Sequence, residues 1–251
     1  VSRGLGDVYK RQKFLSSGDS AITVEFGNEI SAEINACVHA LDKALHKKNI
    51  LGIVETVPTF RSLLIIYDPC ITGGEKLKAK ITKLCGDLEA SSDGRKRIIE
   101  IPVLYGGEYG EDLKDVAEIN KLTEDEVIKI HSGTDYLIYM LGFLPGFAYL
   151  GGLDDRIKTP RLQNPRTKIH AGAVGIGGEQ TGIYPLSSPG GWRLIGTTPV
   201  KPYDPERDEP ILYSAGDYIR FVPIDKETFD DISAKVQNGT YECRIIGGDG
   251  E

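Results

Sequence analysis

The first part of the chain alternates between strand-like and helix-like patterns of hydrophobic residues. From Ala21 to Phe26 every second residue is apolar, which is typical of a half-buried strand. The next apolar residues recur at helical spacing, and Asn28 or Ser31 can cap the helix they predict. These residues are Ile30, Ile34, Cys37, Val38, Leu41 and Leu45.

Two β-rich runs, LGIVETV and RSLLIIY, follow this helix. A second helix is predicted around Lys76 to Leu88, and then another strand, RIIEIPV. The resulting order β-α-β-β-α-β resembles a small split-βαβ sandwich of sheet and helices.

Further along, glycine and proline replace the helical pattern. Thr123 to Glu126 form a capping box, which predicts a short helix ending near His131. Between Gly142 and Gly196 lie 12 of the 30 glycines, and the short apolar runs there favour a β-barrel. We therefore predict an α+β fold, with a small N-terminal α/β sandwich domain at residues 13–95 and a barrel domain at residues 96–251. Residues 1–12 fit neither pattern and are interpreted as a non-native leader.

The composition and charge of the chain argue against some classes of partner. Thirty Lys and Arg against 37 Asp and Glu give a net charge of -7, which disfavours nucleic acid and anionic membranes as partners. The apolar stretch Leu137 to Leu153 contains Pro145 and four glycines, so it is a poor membrane-spanning helix. The four cysteines form no C-x-x-C motif and no signal peptide is recognised, so we expect a reduced, cytoplasmic protein.

Common catalytic motifs are missing from the sequence. It has no H-E-x-x-H and no G-x-S-x-G, and we predict no metal site. Gly177 to Gly182 matches the first half of a phosphate loop, but Ile183 and Tyr184 stand where Lys and Ser or Thr belong. Backbone N–H groups there can still bind phosphate or carboxylate, and tight barrel turns are the alternative.

The segment from Ala171 to Trp192 has Glu179 as its only charged residue. A neutral, glycine-rich segment with a few polar side chains suits a pocket lining, and a pair of barrel strands explains it equally well. Just upstream, Arg161 and Arg166 each follow a proline, and guanidinium groups suit carboxylate or phosphate.

Two further side chains each allow two interpretations. His131 can act on the C-terminal dipole of its helix as a cation, or as an acid or base near neutral pH. Trp192 is favoured as a core anchor over a pocket wall.

Five blocks of sequence carry a resemblance to a known family. They are GDSAITVEFG, VPTFRSLLIIYDP, IPVLYGGEYGEDL, YMLGFLPGFAYLGGLDDRIKTPR and AGAVGIGGEQTGIYPLSSPGGWRLIGTTP. Together they resemble the B-subunit family of 5-oxoprolinase, which also contains the kinase inhibitor KipI and allophanate hydrolase subunit 1-like domains. The match runs from Ser17 to Ile224.

The resemblance implies a cyclophilin-like β-barrel for residues 96–251. It also implies a complex with the A and C subunits of 5-oxoprolinase that opens 5-oxo-L-proline to L-glutamate at the expense of ATP, with Mg presumed. We expect the chain to be active only with these partners, on a small-molecule substrate. The alternatives are a KipI-like inhibitor that binds a histidine kinase, and a carboxyltransferase-type subunit of a urea or allophanate pathway.

Site residues follow from the same motifs together with the candidates above. We predict catalytic roles for Arg166, Gln180, Tyr184 and His131. Substrate-binding roles are predicted for Phe143, Phe147, Arg161, Gly178, Thr181, Gly182, Pro189, Gly190, Gly191 and Trp192. The sequence departs from the family pattern at His170 and Glu179, which affects specificity more than fold.

Overall fold

A computed structural model gives the fold of residues 12–87 and 96–247. The chain divides into two compact units, Val1–Gly94 and Arg95–Glu251. Residues 1–11 of the predicted leader and the predicted boundary after residue 95 lie outside the described residues. Within the described ranges, no helix is both long and apolar enough to cross a membrane.

The first unit is an antiparallel sheet with two helices. Its elements are β1 (Lys13–Ser16), β2 (Ala21–Glu25), α1 (Ala32–Lys48), β3 (Ile53–Pro58), β4 (Ser62–Tyr67) and α2 (Gly74–Asp87). The strands lie in the order β1-β2-β4-β3. Alternate residues of β2 and β4 are buried in one cluster with side chains of both helices, so the helices cover one face of this sheet.

Helix α1 confirms the predicted apolar stripe and one of its two possible caps. The Ser31 hydroxyl accepts a hydrogen bond from the Ile34 N–H at 3.2 Å. Ile34, Leu41 and the other residues of the stripe within the helix are buried. Ile30 precedes the helix and is 60% exposed, so its place in the stripe was wrong.

The strand RIIEIPV does not join the first sheet, so the β-α-β-β-α-β order was wrong in including it, whereas the predicted domain bounds had assigned it to residues 96–251. It forms β5 (Ile98–Tyr105), which pairs with strands of the second unit. The three strands that pair with it all come from residues after 190, which no local pattern indicates.

The second unit is built mainly from strands. After β5 its elements are α3 (Leu113–Asn120), α4 (Glu124–Ser132), β6 (Asp135–Leu141), β7 (Ala148–Gly151), β8 (Arg166–Ile169), β9 (Ala173–Gly177), β10 (Gln180–Ile183), β11 (Ser188–Gly190), β12 (Arg193–Thr197), β13 (Tyr218–Pro223), α5 (Lys226–Gln237) and β14 (Ile245–Ile246). Two short 3₁₀ turns cover Gly107–Tyr109 and Asp155–Ile157.

The main sheet of this unit is nearly closed. Its strand order is β10-β9-β12-β5-β13-β6-β7, with β14 beside β5, while β8 and β11 form a separate ladder. The first and last strands meet, because a Cβ built at Gly182 in β10 would lie 3.2 Å from the Ala148 carbonyl oxygen in β7. The predicted barrel is therefore confirmed as a barrel-like sheet.

Helices α3 and α4 pack on the barrel core. Leu113, Val116 and Val127 are buried in the same cluster as Ile101, Ile138 and Phe221 of the strands. The predicted capping box of α4 is confirmed: the Thr123 hydroxyl accepts from Glu126 N–H at 3.2 Å, and Glu126 Oε2 accepts from Thr123 N–H at 2.8 Å.

Candidate active site

The hairpin of β9 and β10 presents different residues on its two faces. In β10, Thr181 and Ile183 are buried on the barrel-core side. Gln180 and Gly182 alternate with them and lie on the opposite face, which Tyr184 continues directly after the strand. Gln180 and Tyr184, both predicted to orient a substrate, therefore share one face.

Trp192 covers this second face and explains its glycines. A Cβ built at Gly182 would lie 3.2 Å from indole Cζ3, and one at Gly175 would lie 3.3 Å from the Trp192 Cβ. A side chain at Gly177 would overlap the indole itself. These glycines make room for Trp192, which supports the barrel-packing interpretation of the segment over a glycine-lined pocket.

Four aromatic side chains pack together and are called the aromatic cluster here: Phe147, Tyr149, Tyr184 and Trp192. Phe147 lies at its centre, with ring centroids 5.2, 5.8 and 5.6 Å from those of Tyr149, Tyr184 and Trp192, each in an edge-to-face arrangement. Burial raises the pKa of Tyr184, although the Trp192 backbone and the charges of Arg161 and Arg166 act against it. The Tyr184 phenol is therefore protonated at neutral pH.

Phe143 extends the aromatic cluster to the surface. Its ring is 5.5 Å from that of Phe147, and the side chain is 64% exposed. Its backbone has φ +64°, and Leu144 N–H donates to the Gly142 carbonyl across it at 2.7 Å. Such a tight turn strains a non-glycine residue, and strain of this kind concentrates at functional sites.

Arg161 lies over the indole of Trp192. Its Cζ is 5.9 Å from the ring centroid, within reach of a cation–π interaction. The residue is exposed, and its guanidinium makes no ion pair with an acidic residue of the described chain. Arg161 is therefore available to an external anion.

Arg166, in contrast, is engaged within the chain. It donates to Asp112 Oδ1 at 2.8 Å and lies 3.0 Å from Glu111 Oε1. Burial lowers the pKa of Arg166, but the hydrogen bond to Asp112 and the two carboxylate charges raise it overall. The Asp112 carboxylate is buried and also accepts the Leu194 N–H at 2.6 Å. The carboxylate that Arg166 meets in this structure is thus its own chain's.

His131 lies in the barrel core. Its side chain is completely buried and stacks on Phe221, with centroids 4.6 Å apart. Its Nδ1 is 2.8 Å from the Tyr105 hydroxyl, and its Nε2 is 2.8 Å from the Thr181 hydroxyl.

The donors and acceptors among Tyr105, His131 and Thr181 can be assigned from the hydrogen bond that the Thr181 hydroxyl makes. Thr181 donates to the Gly175 carbonyl at 3.0 Å, so it accepts from His131 Nε2–H, and Nδ1 accepts from Tyr105. Burial lowers the pKa of His131 to about 3, so the ring is neutral. Neither the dipole interaction as a cation nor an acid–base role finds support in this placement, because both nitrogens are used inside the core.

The other predicted residues lie along the rim of the aromatic cluster or on its hairpin. A Cβ at Gly190 would lie 2.5 Å from the Tyr184 hydroxyl, so Gly190 makes room for that phenol. Gly191 contacts the Leu162–Pro165 segment, Pro189 is exposed, and Gly178 turns the hairpin with φ +69°. The structure thus gathers most of the predicted residues and leaves His131 and Thr181 on the other side of the sheet.

Sequence reasoning missed three residues of this region. Glu111 and Asp112 pair with Arg166, and Tyr149 belongs to the aromatic cluster. Glu111 and Asp112 could have been found from the sequence, because they directly precede α3 and carboxylates at the start of a helix are stabilised by its dipole.

The hairpin does not fit the phosphates of ATP. Gly178 N–H donates to the Thr159 carbonyl at 2.8 Å, and the Gly178 carbonyl accepts from Thr159 N–H at 3.3 Å. The predicted half phosphate loop is therefore the turn of a β-hairpin, whose Gly178 N–H is not available to a phosphate. Within residues 12–87 and 96–247, no three His, Cys, Asp or Glu side chains are grouped to hold a metal ion.

Comparison with known proteins defines the class first. Residues 12–213 match the family model of the carboxyltransferase domain, subdomain C and D. The crystal structure of the Kluyveromyces lactis urea carboxylase superposes with a TM-score of 0.76 at 21% identity, covering 94% of this chain and 24% of that one. At this identity the likeness concerns the fold.

Closer relatives specify the family. The chain is 42% identical over 229 residues to the B subunit of 5-oxoprolinase from Bacillus subtilis (strain 168), covering 87% of this chain and 95% of the relative. It is 39% identical over 214 residues to the B subunit of 5-oxoprolinase from Escherichia coli O157:H7, covering 85% and 97%. The chain belongs to the B-subunit family of 5-oxoprolinase, as its sequence blocks predicted.

Proposed function

We propose that this chain is the B subunit of an ATP-dependent 5-oxoprolinase that opens 5-oxo-L-proline to L-glutamate. We propose further that the substrate contacts it at Arg161 and the aromatic cluster. One observation carries the site: an exposed guanidinium without an acidic partner in the described chain lies on Trp192, in the same aromatic assembly as the strained, exposed Phe143.

The chemistry of the substrate suits these groups. 5-Oxoproline has one carboxylate, an apolar ring edge and one lactam amide. Arg161 binds the carboxylate through charge-assisted hydrogen bonds, which are stronger than neutral ones. Phe143 covers the ring edge with the apolar face that an aromatic side chain offers.

Gln180 and Tyr184 have complementary roles in this proposal. An amide side chain both donates and accepts, so Gln180 can pair with the N–H and carbonyl of the lactam. The Tyr184 phenol is neutral at pH 7, so it acts as a hydrogen-bond donor rather than a base. Gly178, Pro189, Gly190 and Gly191 shape the rim, and Arg166 holds the adjoining β8 to Asp112.

ATP and Mg are placed in the complex rather than on this chain. The closed hairpin at Gly178 supports this division, because the Gly178 N–H is already bonded to the Thr159 carbonyl. The A and C subunits of 5-oxoprolinase are the proposed partners, since phosphoryl transfer needs several cationic or backbone donors around the phosphoryl group, and in this proposal Arg161 already binds the carboxylate of the substrate. The free thiols at Cys37, Cys70, Cys85 and Cys243 support a cytoplasmic location.

We assign residues 13–95 to a separate α/β sandwich domain and residues 96–251 to a cyclophilin-like barrel domain. Each compact unit has its own buried cluster, one around Leu41 and Ile65 and the other around Ile101 and Phe221, which supports two independent cores.

The proposal is tested by reconstitution. Glutamate release from 5-oxo-L-proline and ATP is measured with this chain and the A and C subunits from the same genome, omitting each in turn. We expect activity only in the complete mixture. Full activity without this chain contradicts the proposal. An inactive complete mixture, with this chain still bound to the C subunit, points to another amide or urea-type substrate.

A further inference from the structure

A cleft in the barrel unit shares no residue with the aromatic cluster. It has a volume of about 400 Å³. Its apolar wall consists of Val200, Ile211, Leu212, Val236 and Ile245. Clefts of this size and character bind small molecules, with a few polar groups fixing their orientation.

Arg207 is the polar group of interest in this cleft. Its Nη2 donates to the carbonyls of Pro202 and Pro210 at 3.2 and 3.0 Å. Its Nε is buried without an acceptor, and Nη1 has no hydrogen bond to the described chain. A guanidinium has five N–H donors and is always charged, so most of its hydrogen-bonding capacity is unused here.

The neighbouring cations of the cleft are already neutralised. Arg97 pairs with Asp217 at 2.5 Å, and Lys201 pairs with Asp204 at 3.2 Å. The Glu206 N–H, Lys201 and, from beyond contact distance, the charge of Arg207 keep the pKa of Asp204 below its ordinary value, so Asp204 stays ionised while its contacts are with Lys201 and the Glu206 N–H. Within the described residues, Arg207 makes no ion pair with any carboxylate. It is the cleft's cation without a contacting counter-ion.

The remaining polar groups do not supply that counter-ion inside the cleft. Burial raises the pKa of Cys243 to about 11 and that of Tyr241 to about 12, so both are neutral at pH 7. Glu209 and Glu242 line the cleft but are exposed to solvent. An anion that brings its own apolar body would therefore complement both Arg207 and the apolar wall.

We propose that this cleft binds a small monocarboxylate with an apolar body, its carboxylate on Arg207 and its body against Ile211 and Val236. This site is independent of the proposed 5-oxoproline site, since a monocarboxylate here would contact none of the residues assigned to that substrate. The full chain alone is sufficient to test it.

Hexanoate is a suitable probe, and hexanamide is its neutral counterpart of the same shape. Calorimetry should show hexanoate binding that is about tenfold to a hundredfold stronger than hexanamide binding, because a charge-assisted hydrogen bond is lost with the amide. Arg207→Gln should weaken hexanoate binding by a similar factor. Arg156→Gln is the matched control, because Arg156 pairs with Asp154 and does not line this cleft.

A second variant, Val236→Trp, tests the same cleft in case Arg207→Gln fails to fold. Val236→Trp retains Arg207 and fills the cleft, so it should abolish hexanoate binding while the circular dichroism spectrum is unchanged. Equal binding of hexanoate and hexanamide, no binding of hexanoate, or unchanged binding in Val236→Trp would each overturn the proposal.

Discussion

The indole of Trp192 occupies the space that a side chain at Gly177 would need. Gly177→Ala must therefore displace the ring or the strand, and we expect the free energy of unfolding to fall by about 2 kcal/mol, as for other overpacked sites. Trp192 is the only tryptophan, so its fluorescence reports the displacement directly.

Gly178→Ala is the control for this change. Gly178 has φ +69° and open space around its Cβ position, so alanine there meets backbone strain of about 1 kcal/mol without touching the indole. Its fluorescence spectrum should match that of the parent. An unchanged spectrum in Gly177→Ala would contradict the packing of Trp192 on β9.

Acid should destabilise the barrel through His131. The pKa of its ring is about 3 in the folded chain, below the ordinary 6.5, so the unfolded state binds more protons once the pH drops below 6.5. The contribution of the neutral His131 ring to the free energy of unfolding is therefore complete above pH 6.5 and is lost as the pH falls towards 3. Between pH 7 and pH 4.5 this amounts to about 2.5 kcal/mol.

Urea unfolding at the two pH values measures this loss. His131→Gln removes the titrating group, so its stability should depend less on pH by that amount. Equal acid sensitivity in the parent and in His131→Gln would rule out this role of the buried ring.

Tyr105→Phe should destabilise the chain at neutral pH. The Tyr105 hydroxyl donates to His131 Nδ1 at 2.8 Å, and its loss leaves a buried acceptor without a partner, which costs about 1–3 kcal/mol. Tyr203→Phe is the matched change, since the Tyr203 hydroxyl bonds no described residue. Chemical denaturation that finds the two variants equally stable would argue against the Tyr105–His131 bond.

Substitution of the two arginines near Trp192 should have different effects: one on the KM of the enzyme, the other on the stability of the chain. Arg161→Gln should raise the KM for 5-oxo-L-proline at least about tenfold with little change in stability, because an external carboxylate loses its partner. Arg166→Gln should instead lower the free energy of unfolding by about 2 kcal/mol, because the buried Asp112 carboxylate loses its partner. The reverse pattern would assign the substrate to Arg166.

Phe143→Gly should weaken substrate binding without lowering the stability of the chain. Glycine adopts φ +64° without strain, so we expect the free energy of unfolding to stay equal or to rise by up to about 1 kcal/mol. The KM in the reconstituted complex should rise, because the exposed ring is gone. Normal KM in a stable Phe143→Gly variant would exclude the ring from the substrate site.

Local patterns predicted local features well. The alternation around Ile22, the cap at Ser31 and the box at Thr123 are each determined by residues within a few positions of one another. The five motif blocks predicted the family, and the glycine-rich segment predicted a barrel-like sheet.

Long-range pairing was not predictable in the same way. No local pattern shows that β5 leaves the first sheet, because its apolar run suits either one. Similarly, His131 at a helix end looks accessible in sequence, and only the packing of Phe221 and Thr181 against it shows that it is buried. The glycines from Ala171 to Trp192 left a pocket lining and a pair of barrel strands equally open, because only the folded structure shows that the indole of Trp192 fills the space beside them.

The position of β13 has a consequence for synthesis on the ribosome. Phe221 in β13 pairs with Ile101 in β5, and β13 also pairs with β6. Until residues 218–223 have left the exit tunnel, β5 and β6 each lack a neighbour and expose an unpaired edge. Such edges favour pairing with other chains. The nascent barrel is therefore vulnerable to aggregation late in translation, and a chaperone that shields strand edges would be most useful at that stage.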